Sequence, residues 1–555
     1  MVRQLSNQRV LIVGLDGADW DVLRPLAAAG RLPNLTAWLR ESAPVPLPST
    51  APPMSFPAWS SFATGLEPGE HGLFDFTQKL PGRYRLRFVN AADRAGETLW
   101  HRVARAGRDV LVLGVPASFP TEADVTGLVV PGFDAPVSSG SDPRSASDPI
   151  LYERVARLAG PWMRPVLDED ARASGWHECA VATLLEQVDR KTGFALEALR
   201  QLREAGREPA LMAVVFSESD TVAHHYWRDH DPASPRHDAS ASALRRGAVT
   251  AVYERLDAAA GALREAFGDD ALAILLSDHG QGGASRRVVH LNRRLAECGL
   301  LRRRRAGGSD LAAQRARNLA LRALPPRARQ AVFRRLRGSA ARLESAARFG
   351  GFDWSASAAF SEEANTQPGV WINVRGREAD GAVAPADYER ARRDVIDALL
   401  DWKLPTAVGL AGGDPVVARA LPREAVHRGP FVARAPDVVV ELALEGGYAH
   451  SLVPTPWSDA TARAIRTLGD GELAGGRGRG MNGTHRPRGI WLVAGGSRAS
   501  RAEPPASIAE VGSVVLGVLG AEADAAAPDP PQAAPYTAEE EARVAARLRA
   551  LGYLE

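Results

Sequence analysis

Residues 10–17 read Val-Leu-Ile-Val-Gly-Leu-Asp-Gly, a short apolar run that ends in an aspartate. A continuous apolar run of this length predicts a strand buried on both faces, as in a parallel sheet. Similar runs occupy 109–114, 211–216 and 271–276, and segments of helical periodicity lie between them at 23–41, 99–107, 193–204 and 243–267. We therefore predict an α/β fold, a three-layer α/β/α sandwich around a mostly parallel central sheet.

Composition limits the classes of function. The 555 residues are 45% hydrophobic and 24% charged, with a formal net charge of +2, so we expect a globular protein without a nucleic-acid partner. Two cysteines, Cys179 and Cys298, lie outside any metal-binding spacing and suit a reducing compartment. No apolar run reaches 18 residues, so we expect no transmembrane segment and a cytoplasmic location.

Acidic and imidazole side chains follow the predicted strands. The carboxyl ends of parallel strands form the edge that carries the site in such sheets. The residues at these ends are Asp16, Asp220, Asp278 and His279. His224 follows Asp220 by four residues, so both side chains could contact one ion from a helix.

His485 precedes another predicted strand, residues 489–494. Any one of these side chains alone could be a helix cap or a loop residue. Together, three aspartates and three histidines form a ligand set that zinc accepts, and that manganese or iron could also use. Six ligands exceed the need of one tetrahedral ion, so the set indicates two divalent metal ions.

The segment 48–65 supplies a candidate nucleophile, Ser55. Pro52, Pro53 and Pro57 restrict the backbone around this serine. Residues 58–64 have the pattern of a helix start, whose free N–H groups attract an anion. A bound metal ion lowers the pKa of a serine hydroxyl and makes it a better nucleophile. We therefore predict Ser55 as the nucleophile and as a further metal contact, although alone the segment would be interpreted as a surface loop.

These motifs resemble those of the alkaline phosphatase superfamily, and more closely those of the bacterial branch of the type I phosphodiesterase/nucleotide pyrophosphatase proteins. The matching segments are Gly14-Leu-Asp16-Gly, Ser55-Phe-Pro57, Phe62-Ala-Thr-Gly65-x-x-Pro68-Gly-x-His71-Gly72, Asp220-x-x-x-His224, Ser277-Asp278-His279-Gly280, Gly483-Thr-His485-Arg-Pro487 and the tail 539–553. Together they span nearly the whole chain.

The resemblance implies metal-dependent hydrolysis of phosphodiester or pyrophosphate bonds in a small-molecule phosphoester, through a phosphoserine intermediate on Ser55. It also implies how the two ions, expected to be zinc, are held. One would bind Asp220, His224 and His485, and the other would bind Asp16, Asp278 and His279, with Ser55 facing both.

Three departures from related families bear on the substrate. Ala58 occupies the position at which nucleotide pyrophosphatases have an asparagine. Trp59 occupies the position at which sulfatases have an arginine. Phe56 and Pro57 replace the arginine that binds a dianionic monoester in alkaline phosphatases. The first difference does not support nucleotide specificity, the second argues against a sulfatase, and the third favours a monoanionic diester over a monoester. The alternatives are a phosphomonoesterase or phosphate mutase on the same fold, or a non-catalytic protein that binds metal and phosphate.

The alternation of strands and helices is interrupted after residue 300. We expect residues 1–300 to form the first part of a catalytic core, 301–430 an inserted α+β cap that selects the substrate, 431–520 the second part of the core, and 521–555 a linker and C-terminal helix. The arginine-rich stretch 302–337 could make a peripheral contact with an acidic surface, but such runs are more often solvated faces.

Overall fold

The computed structural model describes residues 8–122, 124–135, 142–162, 176–304, 348–349, 351–364, 368–405, 413–457, 463–473, 481–495, 503–521 and 536–551. The strands in these ranges are β1 Val10–Leu15, β2 Val45–Pro48, β3 Thr77–Lys79, β4 Leu86–Phe88, β5 Val110–Leu113, β6 Gly127–Val130, β7 Leu211–Phe216, β8 Leu272–Leu276, β9 Gly280–Val289, β10 Ala359–Phe360, β11 Gly369–Ile372, β12 Val417–Pro422, β13 Val438–Leu442, β14 Leu444–Glu445, β15 Tyr448–Leu452, β16 Ile465–Thr467, β17 Gly483–Arg486 and β18 Arg488–Ala494.

The α-helices in the same ranges are α1 Trp20–Ala28, α2 Pro33–Leu39, α3 Ser55–Thr64, α4 Pro68–His71, α5 Leu99–Arg105, α6 Pro149–Ala159, α7 Trp176–Glu204, α8 Glu218–His230, α9 Ala243–Phe267, α10 Leu291–Glu297, α11 Tyr388–Leu400, α12 Arg423–Val426, α13 Val511–Leu519 and α14 Ala538–Leu551. Among them there is no helix with the length and apolar character needed to cross a bilayer.

The central sheet has seven strands in the order β2-β18-β8-β1-β7-β5-β6. Strands β8, β1, β7, β5 and β6 are mutually parallel, whereas β18 runs antiparallel to both β8 and β2. The predicted α/β fold with a mostly parallel central sheet is therefore confirmed. The carboxyl ends of β8, β1 and β7 meet at one edge, where their following loops can combine side chains.

Both faces of the sheet are covered, because residues of β1 alternate between two apolar clusters. Leu11 and Val13 pack with helices α1, α2, α6, α7 and α9, whereas Val10 and Ile12 pack with α3, α5 and α13 on the other face. Strands buried in this way carry no solvent-facing side, which explains their continuous apolar sequences.

The predicted helix 23–41 is wrong, since the chain forms two helices there. Helix α1 ends at Ala28, Gly30 adopts a left-handed conformation with φ of 72°, and α2 begins with Pro33 at its first position. Glycine accepts positive φ without strain and proline starts a helix readily, so the pair separates two helices. The predicted helix 193–204 is the last part of α7.

A second, antiparallel sheet follows the order β10-β11-β13-β12. Helix α11 packs on it through Val395 and Leu399. Strand β13 belongs to this sheet, which therefore extends beyond residue 430, where the cap was expected to end. Most of the arginine-rich stretch, 305–337, and most of the expected linker, 522–534, lie outside the described residues.

Candidate active site

The predicted site residues come from five elements that meet at the carboxyl edge of the central sheet. Asp16 follows β1, Asp278 and His279 follow β8, Asp220 and His224 lie in α8, His485 lies in β17, and Ser55 begins α3. Strand β17 pairs with β9 so that His485 lies opposite Gln281. This pairing brings His485 beside residues more than 200 positions away in sequence.

Ser55 is the first residue of α3, three positions before the predicted helix start. Its side chain is fully buried. The Oγ donates to Oδ1 of Asp16 at 3.1 Å and lies 3.1 Å from Nε2 of His279. A helix N-terminus also carries partial positive charge from its free N–H groups. The hydroxyl therefore lies between the N-terminus of α3, which attracts an anion, and the side chains of Asp16 and His279, which could bind a cation.

Asp220, His224 and His485 form one group of potential metal ligands, whose ligand atoms lie within 4.8 Å of one another. Nε2 of His224 is 3.1 Å from Oδ1 of Asp220, and Nε2 of His485 is 3.5 Å from the same oxygen. The two Nε2 atoms are 3.1 Å apart. All three side chains therefore converge on one small volume.

Asp16, Asp220 and His279 form a second such group, which shares Asp220 with the first. Nε2 of His279 is 3.6 Å from Oδ1 of Asp16 and 3.4 Å from Oδ2 of Asp278. Asp278 therefore borders this group, and its other oxygen accepts a hydrogen bond from the N–H of Gly17 at 3.1 Å. The rings of His279 and His485 stack with centroids 3.8 Å apart, which joins the two groups.

The three histidines share one arrangement of their ring nitrogens. Nδ1 of His224 lies 2.8 Å from the carbonyl oxygen of Gly483, Nδ1 of His279 lies 3.0 Å from that of Gly280, and Nδ1 of His485 lies 3.0 Å from that of Pro53. A carbonyl oxygen only accepts, so each Nδ1 carries the proton in the neutral ring. Each Nε2 then presents a lone pair to the centre, as in metal-binding histidines.

Burial of several ionisable side chains in one place shifts their pKa values, because the charged forms lose contact with water. Burial, followed by the charges of Asp278 and Asp220, raises the pKa of Asp16 well above its usual value. Burial also raises the pKa of Asp278 and lowers that of His279, the latter with help from the charge of His485. Burial opposes ionisation of Asp220 too, but the adjacent His224 and His485 outweigh it and lower its pKa.

These features fit divalent cations. Oδ2 of Asp278 is fully buried and accepts no hydrogen bond from any described residue. Buried carboxylate oxygens without partners are costly, and a cation would compensate for them. Aspartate oxygens and imidazole nitrogens are ligands that zinc and similar ions accept.

Two contacts in the site were missed from the sequence. The indole N–H of Trp59 donates to Oδ2 of Asp16 at 3.2 Å, and the side-chain amide of Gln281 donates to Oδ1 of Asp220. Trp59 is one helical turn after Ser55, a spacing that could have indicated a shared face. Gln281 lies in a glycine-rich segment without apolar periodicity, so no sequence signal predicted its strand.

Several polar residues that follow Asp278 and His279 in sequence make their contacts away from the Asp/His groups. His290 and Asn292 begin α10, where Nδ1 of His290 lies 3.0 Å from the carbonyl oxygen of Val453 and the amide of Asn292 donates to that of Ser361. Arg286 pairs with Asp470. Buried His71 contacts Oγ of Ser61 and accepts the N–H of Leu73, as a structural residue would.

A three-layer α/β fold that carries clustered aspartates and histidines beside a buried serine defines the class of alkaline phosphatase-like metal-dependent hydrolases. The chain belongs to the family described as "Type I phosphodiesterase / nucleotide pyrophosphatase", which matches residues 10–354. It is therefore a phosphoric ester hydrolase, as the resemblance implied.

One solved structure has a similar fold, and a second is a weaker match. Phosphonoacetate hydrolase from Sinorhizobium meliloti 1021, in complex with phosphonoacetate, matches with a TM-score of 0.52 and 15% identity, over 94% of this chain and 97% of that one. Murine ectonucleotide pyrophosphatase/phosphodiesterase 5, an inactive form in complex with AMP, matches with a TM-score of 0.45 and 14% identity, over 93% and 96%. No curated protein matches the sequence.

Proposed function

We propose that the protein hydrolyses phosphodiester or pyrophosphate bonds with Ser55 as the nucleophile, and that two divalent cations, expected to be zinc, take part. The observation that carries this proposal is the position of the Ser55 hydroxyl. Its Oγ lies 3.1 Å from Asp16 and 3.1 Å from His279, both members of one Asp/His group. A surface serine in a Pro/Ser loop would have no such neighbours.

The six Asp and His side chains would hold the cations. Asp220, His224 and His485 would hold one, and Asp16, Asp278 and His279 the other. The shared position of Asp220 in both groups supports two neighbouring ions rather than two separate sites. When bound, such ions lower the pKa of a coordinated hydroxyl and neutralise charge on phosphoryl and leaving oxygens.

In the proposed reaction, Oγ of Ser55 gives its proton to Oδ1 of Asp16 and attacks phosphorus. The bond from phosphorus to the leaving oxygen breaks, and that oxygen takes a proton from a water molecule, which leaves hydroxide. The hydroxide attacks the phosphorus bound to Ser55, which still carries the second ester group. The bond from phosphorus to Oγ then breaks, and Oγ regains the proton held by Asp16. The products are an alcohol and a phosphate monoester. The N-terminus of α3 would stabilise the negative phosphoryl oxygens.

The surroundings of Ser55 support a diester rather than a monoester. Phe56 is buried in an apolar cluster with Met54 and Phe76, and Ala58 and Trp59 are buried in another. None of these side chains offers the fixed positive charge that a dianionic monoester would need. We expect faster hydrolysis of bis-p-nitrophenyl phosphate than of p-nitrophenyl phosphate. The opposite preference would favour the phosphomonoesterase or phosphate mutase alternative.

Replacement of the serine tests the nucleophile directly. Ser55→Ala is expected to reduce kcat by about a thousandfold or more, since it removes the attacking atom, while metal content stays unchanged. Ser60→Ala is the matched control: Ser60 is equally buried in α3 and donates only to the carbonyl of Phe56.

A covalent intermediate on Ser55 should be visible by mass spectrometry of the acid-quenched reaction. With bis-p-nitrophenyl phosphate as substrate, the peptide that contains Ser55 should gain the mass of one p-nitrophenylphosphoryl group. A Ser55→Ala protein with full activity would contradict the proposal. Wild-type protein that binds metal but leaves all phosphoesters intact would support the non-catalytic alternative.

We also propose that the region beyond residue 300, including the β10–β13 sheet, selects the substrate. Its support is the close attachment of this region to the segment after α3. Lys79 forms a buried ion pair of 2.7 Å with Glu378, and Arg434 donates to the carbonyl of Gly72. A panel of nucleotide, lipid-headgroup, glycan and phosphonate esters, including phosphonoacetate, would identify the leaving group.

A further inference from the structure

A cleft of about 540 Å³ lies behind the candidate active site, open to solvent. Its walls come from the start of α1, the end of α8, the β9/β17 pair, the turn before β15 and the start of β18. The volume is within the range of small-molecule sites, roughly 300–1,000 Å³. It could accept one or two six-membered rings.

The β9/β17 ribbon separates this cleft from the candidate active site. Successive residues of a strand point to opposite faces. Gln281 and His485 contact Asp220 on one face, whereas Arg486 lies against Gly282 on the other and lines the cleft. A Cβ at Gly282 would be 2.4 Å from the guanidinium of Arg486, so the absence of a side chain there gives Arg486 its room. Ser55 is not among the residues that line the cleft, whereas Gln281, whose side chain contacts Asp220, is.

Two walls of the cleft are aromatic. Tyr448 and Trp227 pack against Gly283, where a Cβ would lie 2.6 and 2.9 Å from their rings. Flat aromatic surface of this kind suits contact with the apolar face of a ring.

Carboxylates and guanidinium groups balance in the cleft. The acidic side chains are Asp19, Asp21 and Asp231, and the basic ones are Arg24, Arg486 and Arg488. The three carboxylates disfavour an anionic ligand and the three guanidinium groups disfavour a cationic one. A hydroxyl group donates to a carboxylate and accepts from a guanidinium, so it can use both kinds of side chain.

Several of these polar groups are held in place. The hydroxyl of Tyr448 donates to Oδ2 of Asp231 at 2.8 Å. Asp19 accepts the N–H of Gln281 at 3.0 Å and that of Asp21 at 2.8 Å. Arg24 lies 5.5 Å over the ring of Trp20. Groups fixed before binding lose little conformational entropy when a ligand arrives.

We propose that this cleft is a second binding site, distinct from the hydrolytic centre, for a neutral polyhydroxylated ligand of the saccharide type. The site does not depend on the proposed chemistry at Ser55. It binds such a ring through aromatic contact with Tyr448 and Trp227 and through hydroxyl contacts with Asp231 and Arg24.

Saturation-transfer NMR on the full chain tests the proposal, with methyl α-D-glucopyranoside, maltotriose and myo-inositol as probes and inorganic phosphate as competitor. We expect saturable binding of at least one probe, which phosphate does not displace. Arg24→Ala and Asp231→Asn should each weaken that binding about fivefold, as for one lost hydrogen bond. Arg144→Ala is the control, because the 87% exposed Arg144 lies outside the cleft and, among the described residues, pairs with the neighbouring Asp142 alone.

Any of three results would overturn the proposal. All three probes could fail to bind at millimolar concentration, or phosphate could displace the bound probe. Binding could also survive in both cleft variants while their melting temperatures match the wild type. Because no step of the assay requires hydrolysis, loss of the proposed phosphodiesterase activity would leave its outcome unaffected.

Discussion

At Ser55, two neighbouring side chains determine what the hydroxyl can do. Asp16 accepts its hydrogen bond on one oxygen, and Trp59 occupies the other oxygen of the same carboxylate. The indole N–H therefore fixes the orientation of the Asp16 carboxylate, which in turn would orient the proposed nucleophile. Hydrogen bonds to a carboxylate also favour its charged form, so Trp59 opposes the rise in the pKa of Asp16 that burial causes.

Trp59→Phe tests this contact. Loss of one hydrogen bond to a charged group costs about 1.5–3 kcal/mol, so kcat is expected to fall by one to two orders of magnitude with little change in KM. Trp100→Phe is the matched control, because the buried Trp100 donates to Glu122 away from the site. Equal effects of the two variants would show that Trp59 acts only through packing.

Glu362 predicts a pH dependence of stability outside the site. Burial, with the charge of Asp75, raises its pKa to about 7, from 4.5 in the unfolded chain. The folded state therefore binds the proton more tightly, and its stabilising contribution is complete below pH 4.5 and lost as the pH rises through 7. Glu362→Gln should leave the unfolding free energy at pH 4.5 nearly unchanged and raise it at pH 8 by on the order of 1–3 kcal/mol.

Urea denaturation at the two pH values measures this difference, with Glu445→Gln, a partly exposed glutamate, as the control. A Glu362→Gln protein that is destabilised equally at both pH values would contradict the assignment.

Individual ligand residues were predictable because each follows an apolar strand or sits at helical spacing, as Asp16 and the Asp220/His224 pair do. Their partners were not. Gln281 reaches Asp220 only because β9 pairs with β17, a long-range contact that leaves no local pattern. The expected division placed Asp220 with one ion and Asp278 with the other. In the structure, Asp220 belongs to both Asp/His groups, whereas Asp278 borders one of them.

At the scale of elements, the C-terminal helix α14 supports the start of α3. Val544 and Leu548 pack in one apolar cluster with Met54 and Phe56, the residues on either side of Ser55. Buried Arg547 donates to the carbonyl oxygens of Phe133 and Ala135 at 3.1 and 2.9 Å, which fixes the helix to the loop after β6. Nearly 500 residues separate this helix from the serine that it supports.

Arg547→Met is therefore expected to lower both stability and turnover. Two buried carbonyl oxygens lose a charged donor, at a cost of about 2–4 kcal/mol, and kcat should fall several-fold as α3 becomes less constrained, while KM changes little. Arg190→Ala, which removes an exposed ion pair with Glu186, is the control for loss of an arginine. A destabilised Arg547→Met protein with wild-type kcat would show that α14 stabilises the fold without influencing turnover at the site.

Strands and helices followed from the sequence where apolar periodicity was long, as in β1, β7 and α9. Short edge strands such as β2, with the sequence Val-Pro-Leu-Pro, were missed because they carry prolines and little apolar pattern. The glycine-rich β9 was missed because its glycines leave room for the side chains of Arg486, Tyr448 and Trp227. Local propensity does not encode such a packing requirement.

At the scale of the whole molecule, the site joins parts of the chain from Asp16 to His485 and buries six ionisable groups together. Their burial costs free energy that cations would offset. Removal of metal by a chelator should therefore lower the melting temperature by several degrees, reversibly on addition of Zn²⁺.

His485→Ala should reduce this chelator-induced shift. His450→Ala is the control, because His450 is a buried histidine that contacts Ser285 away from the site. A melting temperature that is identical with and without bound metal would show that these residues bear no cation-dependent stability.

The proposed reaction depends on seven side chains that surround a pair of cations. Anomalous X-ray diffraction from crystals of the zinc-loaded protein, recorded at the zinc absorption edge, tests it most directly. We predict two peaks roughly 3.5–4 Å apart, one beside His224 and His485 and the other beside Asp16 and His279, with Oγ of Ser55 next to both. A single peak, or peaks away from these residues, would contradict the account.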